Sequence, residues 1–144
     1  MTRPISARVH GVLDYAAAAV FLNAPMVFGF QHTVPARIAY WLTGIHLLLT
    51  ACTDFPFGPF RWIPFKVHGA IELVAGLFVL VAPWIFGFSD LAPARNFFVA
   101  MGLLLLAIVA LSDYTVGEAL PVRKPGDRRR WGTREPAPEE RPKT

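Results

Sequence analysis

The sequence predicts an all-α membrane protein, a four-transmembrane-helix bundle made of two parallel tandem helical-hairpin repeats with a disordered C-terminal tail. Three observations predict it. The 144 residues are 54% hydrophobic and only 17% charged, with a mean hydropathy of +0.44, where soluble domains carry about 25% charged residues. The charges avoid long stretches of chain: Val67 to Ser89 holds one, Glu72, and Asn96 to Ser112 holds none. Finally, the chain aligns with itself at a shift of 58 residues.

Four apolar runs account for the spans: Val9–Phe28, Ala36–Ala51, Val67–Phe86 and Ala94–Leu111. About 20 helical residues cross a hydrocarbon core, and backbone groups inside lipid must be paired within their own segment, so such runs are helices. Breakers separate them. Gly29, Thr33 and Pro35 divide the first pair, Asp54-Phe55-Pro56-Phe57-Gly58-Pro59 follows the second span, and Gly87, Ser89, Asp90 and Pro93 divide the last pair. The organisation is a first repeat over residues 1–58, a second over 59–114 and a tail over 115–144.

The repeat is specific. His10-Gly11 falls on His68-Gly69, Asp14 on Glu72, Ala24-Pro25 on Ala82-Pro83, Phe28-Gly29-Phe30 on Phe86-Gly87-Phe88, Pro35-Ala36-Arg37 on Pro93-Ala94-Arg95, and Gly44 on Gly102. Residues 8–50 contain 16 identities without a gap, and shared hydrophobicity alone does not align His, Gly, Pro and Arg together. One residue further out of step, Thr53-Asp54-Phe55 meets Ser112-Asp113-Tyr114. Two spans per repeat give both repeats the same orientation, with a pseudo-twofold axis along the membrane normal rather than the inverted arrangement of many transporters. The start of the chain resembles a signal peptide, but its twin at residues 66–82 lies mid-chain, so a retained helix is expected.

Basic residues set the topology. Arg3, Arg8, Arg61, Lys66 and eight in the tail lie on one side, and only Arg37 and Arg95 on the other. The positive-inside rule then places both termini in the cytoplasm, and the expected location is the cell (inner) membrane. The tail, with Pro121, Pro125, Pro136, Pro138 and Pro142 among charges of both signs, cannot bury enough apolar surface to order itself. Its Arg128-Arg129-Arg130-Trp131 run suits anionic lipid headgroups. The single cysteine, Cys52, excludes an intrachain disulfide.

Helical spacing places positions 10, 14, 17, 24 and 28 of the first span, and their twins His68, Glu72, Ala75, Ala82 and Phe86, along one line that should face protein. Gly44 and Gly102 should let helices approach closely. The candidate polar cluster is His10, Asp14, Asp54, His68, Glu72 and Asp113: each hairpin offers a His, an acid one turn deeper and an Asp across the gap. Ionisable groups within a membrane are costly and often functional, and a His beside a carboxylate relays protons, ligates a metal, or joins helices by hydrogen bonds. His46 faces Leu104 in the other repeat and is expected to be structural; His32 is a loop residue. Pro25 and Pro83 should kink or end their helices, and Trp41 and Trp84 should rest near an interface. No nucleophile–His–acid arrangement and no phosphate-binding glycine loop is present.

The repeat motif, Ala24-Pro25-Met26 in one copy and Ala82-Pro83-Trp84 in the other, with the His-Gly start and the Phe-Gly-Phe end, resembles the SPW-repeat family of small bacterial and archaeal membrane proteins. The resemblance covers residues 8–114 and implies an integral membrane protein, without an activity to carry over. The expected function is a non-enzymatic membrane scaffold or interaction protein, with a homo-oligomer or another membrane protein as partner besides the lipid bilayer, and no nucleic acid. The alternatives are a small proton or ion conduit using the His/acid residues, or a subunit bearing haem or a metal at His10 and His68. No cofactor is expected on the first reading.

Overall fold

The computed structural model describes residues 3–114; the tail expected to be disordered lies outside the described residues. Four helices run in chain order: α1 (Ala7–Val27), α2 (Val34–Cys52), α3 (Phe65–Ile85) and α4 (Ala92–Leu111). Each begins within two residues of the position expected from sequence, and the described residues contain no sheet, only two isolated bridges.

The starts and stops follow from local chemistry. The Ser6 side chain accepts a hydrogen bond from the Val9 N–H and so caps α1. Pro35 and Pro93 occupy the first turns of α2 and α4, where a missing N–H costs nothing. The ends of α1 and α3 explain the Ala-Pro-x-x-Phe-Gly-Phe motif. Gly29 and Gly87 take positive φ (73° and 67°), and the Phe30 and Phe88 N–H groups return to the Pro25 and Pro83 carbonyls at 2.8 Å. Both copies therefore end in a Schellman turn with glycine in the left-handed position. The prolines lie inside the last turn and do not stop the helix at once: α1 and α3 each continue two residues beyond them.

The two hairpins, α1–α2 and α3–α4, pack closely within themselves and meet one another more sparingly. A core of Ala17, Phe21, Ala24, Ala36, Val79, Ala82, Ala94, Phe97, Phe98 and Met101 fills the half nearer the hairpin turns. The outer surface is apolar on every helix, with Val20, Leu22, Leu48, Val74, Leu77 and Leu103 exposed, while histidine, aspartate, glutamate, serine and threonine are buried. That distribution reverses the soluble rule and suits lipid. Two helices, Phe65–Ile85 and Ala92–Leu111, are by themselves long and apolar enough to cross a membrane. α1 and α2 have similar lengths, 21 and 19 residues, but dilute their hydropathy with Arg8, Asn23, Arg37 and His46.

Two sequence expectations change. Phe28 and Phe86 do not continue the buried line; they cap the helices and are half exposed. Gly102 does sit against α3, where a Cβ would overlap the Leu80 backbone, but a Cβ at Gly44 would meet nothing. The α2 surface at Gly44 faces outward. Trp41 and Trp84 are exposed toward the hairpin-turn end, and Trp62 in the connector at the other end, as amphipathic rings at two interfaces would be.

Candidate functional site

The i, i+4 spacing of His10 and Asp14 puts both on one face of α1, and His68 and Glu72 share a face of α3 in the same way. The hairpins turn these faces together near the connector end. The four side chains are 0–1% exposed, and one ligand atom from each lies within 4.8 Å of all the others. His10 Nε2 is 3.4 Å from His68 Nε2. It is 3.3 Å from Asp14 Oδ1 and 3.0 Å from Glu72 Oε2. His68 Nε2 is 3.3 Å from Asp14 Oδ2 and 3.6 Å from Glu72 Oε2.

Two hydroxyls decide which imidazole nitrogens carry protons. Ser112 Oγ donates to the Ile108 carbonyl at 2.6 Å, and Thr53 Oγ1 to the Leu49 carbonyl at 2.7 Å. Each hydroxyl has one proton, so each can only accept from the histidine beside it. His10 Nδ1–H therefore donates to Ser112 Oγ, and His68 Nδ1–H to Thr53 Oγ1, both at 2.7 Å. The bonds cross between hairpins: the first hairpin's histidine is held by the second hairpin's serine, and the second's by the first's threonine. With Nδ1 protonated, both Nε2 atoms face the centre as lone pairs or as imidazolium N–H groups.

The carboxylates face the same point. All four oxygens of Asp14 and Glu72 are buried and have no hydrogen-bond partner among the described residues. Histidine nitrogens approach them within ion-pair distance, but without hydrogen-bond geometry. Lone pairs opposing carboxylates in a dry site are unfavourable, so the centre needs two positive charges, supplied by two protons or by one divalent cation. Zinc–nitrogen and zinc–oxygen bonds of about 2.0–2.2 Å to a tetrahedral ion put neighbouring ligand atoms about 3.3–3.6 Å apart. The His10–His68 and histidine–carboxylate separations of 3.0–3.6 Å lie near that spacing, with Asp14 turning Oδ1 to His10 and Oδ2 to His68. A haem does not fit: its ring would have to pass between the two Nε2 atoms, where both carboxylates converge.

The conserved geometry of the two halves extends to the backbone that frames the site. Ile5 N–H reaches the Leu111 carbonyl and the Ile5 carbonyl accepts from Asp113 N–H; Ile63 pairs in the same way with Cys52 and Asp54. Aromatic rings close the connector end. A Cβ at Gly11 would overlap the Phe55 ring and one at Gly69 the Tyr114 ring. Phe65 packs at 5.0 Å from the His10 ring and 4.7 Å from Tyr114.

The domain described as the SPW repeat domain matches residues 8–113 of this chain. The chain belongs to the SPW repeat family. No curated protein and no solved structure matches it. Its SPW motif positions lie away from the polar centre. Ala24, Pro25, Ala82 and Pro83 are buried at the opposite helix ends, and Met26 and Trp84 are exposed there. In this SPW repeat protein the motif forms the last turn of a helix that the following Phe-Gly-Phe ends; the His-Gly-x-x-acid start builds the site.

Of the six cluster residues expected from sequence, the structure brings together His10, Asp14, His68 and Glu72. Asp54 and Asp113 are not part of that group. The residues before them, Thr53 and Ser112, make the contacts, and these two were missed. Their signal was present in the Thr53-Asp54-Phe55 and Ser112-Asp113-Tyr114 correspondence. His46 was expected to be structural, yet its Nε2 lies 3.9 Å from Glu72 Oε1 at the edge of the centre.

Proposed function

We propose that this protein is a non-enzymatic, multi-pass inner-membrane protein, duplicated from one hairpin, whose two halves clamp a divalent metal ion between His10, Asp14, His68 and Glu72. The observation that carries the reading is the meeting of two Nε2 atoms, their tautomers set by Ser112 and Thr53, with two buried carboxylates that accept no hydrogen bond among the described residues. Two imidazoles and two carboxylates suit a borderline ion, zinc first, with iron(II) and manganese(II) as competitors. Four protein ligands and no open face describe a structural rather than a catalytic centre, so the ion acts as the clasp of a scaffold.

The distribution of basic residues supports a cytoplasmic location for both termini. Arg3, Arg8, Arg61 and Lys66 lie at the connector end, and Arg37 and Arg95 at the hairpin turns. The metal centre then sits toward the cytoplasmic face, and the basic tail is placed to meet anionic headgroups.

The test is metal analysis of the protein purified from its native host in mild detergent, beside His10→Ala and His68→Ala. One equivalent of metal in the wild type, lost in both variants, supports the clasp. A wild-type protein that holds no metal and takes up neither added Zn²⁺ nor Co²⁺ overturns it. A second reading would then stand, in which two protons balance the centre and the protein conducts protons. The 3.0 Å His10–Glu72 separation favours it, since that is an ion-pair distance once His10 is protonated. Liposome proton flux abolished by Asp14→Asn or Glu72→Gln would support it.

A further inference from the structure

We propose that His46, together with the outer oxygen of Glu72, is the position through which the divalent cation enters and leaves the centre; this rests on the metal reading above. The four ligands are sealed. Toward the connector end lie Phe55, Phe65 and Tyr114 with Ala7, and toward the hairpin turns lies the aromatic core of Phe21, Phe97 and Phe98. An ion can reach Nε2 of His10 or His68 only from the side.

The sides are not equivalent. On α2, the His46 side chain is 11% exposed, against 0–1% for the four ligands. The twin position on α4 is Leu104, which offers no donor. Apart from the carboxylate oxygens and the Tyr114 phenol, the buried side-chain atoms without a hydrogen-bond partner among the described residues are His46 Nε2 and Thr50 Oγ1. Both lie on α2, one turn apart on the same face, and the twin of Thr50 is Ile108. Unpartnered donors and acceptors in a dry interior are costly, and here they are confined to one of two otherwise matching helices.

Glu72 connects this side to the centre. Its Oε2 lies 3.0 Å from His10 Nε2, while its Oε1 points outward to His46 Nε2 at 3.9 Å. A cation first held by His46 and Oε1 passes inward when the carboxylate exchanges one oxygen for the other. The ion then gains His10, His68 and Asp14 without ever losing Glu72. The corresponding path runs between α2 and α3, which meet as sparingly as α1 and α4 do; of these two seams, His46 marks the one beside α2.

The experiment uses full-length protein stripped with a chelator in mild detergent, then loaded with Co²⁺ while its ligand-field absorption is followed. Extraction by EDTA gives the reverse rate. His46→Leu installs the residue of the twin position. It is expected to bind the same final amount of Co²⁺ with the same spectrum, but to load and release it at least tenfold more slowly. His46→Cys, which keeps a metal-binding side chain at the position, should recover much of the rate. Exchange at the wild-type speed or faster would assign His46 to packing and overturn the proposal. Loss of stoichiometric Co²⁺ in His46→Leu would make His46 a permanent ligand and also overturn it. Failure of the wild type to bind Co²⁺ would instead overturn the metal reading itself.

Discussion

His10 and His68, 58 residues apart in sequence, place their Nε2 atoms 3.4 Å from one another in the interior of the bundle. Each ring is held from behind by a hydroxyl of the opposite hairpin. Neither hairpin contains the whole cluster, so on the proposed metal reading ion binding and the association of the two halves would be one event. Four predictions follow from this geometry and its surroundings.

Removing the orienting hydroxyls should weaken the ion without touching a ligand. Ser112→Ala and Thr53→Val each leave an Nδ1–H unpaired and free the ring to turn, and loss of such a partner typically costs about 10–100-fold in metal affinity. Ser112→Thr and Thr53→Ser should bind as the wild type does. Competition with a chromophoric chelator reads all four affinities.

Removing one charge should uncouple stability from metal. Zn²⁺ should raise the thermal midpoint of the wild type and EDTA should lower it, because a ligand bound only by the folded state stabilises it by mass action. Asp14→Asn and Glu72→Gln should lie below the wild type and respond to neither addition. Breaking a buried charged set costs about 3–5 kcal/mol, and thermal unfolding in detergent with and without metal measures both effects.

Two glycines that align in the repeat should behave oppositely. Gly102→Ala drives a Cβ into the Leu80 backbone and should cost about 1–3 kcal/mol, the usual range for overpacking. Gly44→Ala meets nothing and should be neutral, or stabilising by about 0.5–1 kcal/mol through helix propensity. Comparative unfolding of the two variants tests it; equal destabilisation would contradict the packing described.

Tyr114 should resist ionisation. Burial, reinforced by the negative charge of Glu72, pushes its phenol well above the ordinary value. Folding favours the neutral form, so this contribution is fully present below the unfolded pKa of about 10 and is lost as pH rises from there toward the folded value. Tyr114 should therefore titrate only as the protein unfolds when absorbance at the phenolate band is followed, and Tyr114→Phe should remove that late step.

The self-alignment made much of this arrangement legible. Two aligned His/acid pairs at i, i+4 spacing, each starting its hairpin, were enough to put His10, Asp14, His68 and Glu72 at one depth. The aspartates misled because residues following a helix leave its period. Thr53 is three residues from Thr50 and seven from His46, on the same helical stripe, and Asp54 is a further 100° round that helix. The C-cap then turns extended at Thr53 and Ser112 (ψ 142° and 139°), so the hydroxyls stay inside. Gly44 misled for another reason: an aligned residue inherits its twin's environment only if its neighbours match, and Leu22, the twin of Leu80, is exposed.

The pairing of Ile5 with Leu111 and Asp113 duplicates that of Ile63 with Cys52 and Asp54. The start of the chain is thus stitched to the last helix just as the connector stitches the middle. The polypeptide closes into a ring of four helices whose covalent break between α4 and α1 is spanned by hydrogen bonds. A circular permutant opened in the connector at residues 57–59 and joined from Tyr114 to Arg3 by a short linker would carry the same stitches at both seams. The order in which the two hairpins are synthesised is a property of the gene and not of the folded molecule.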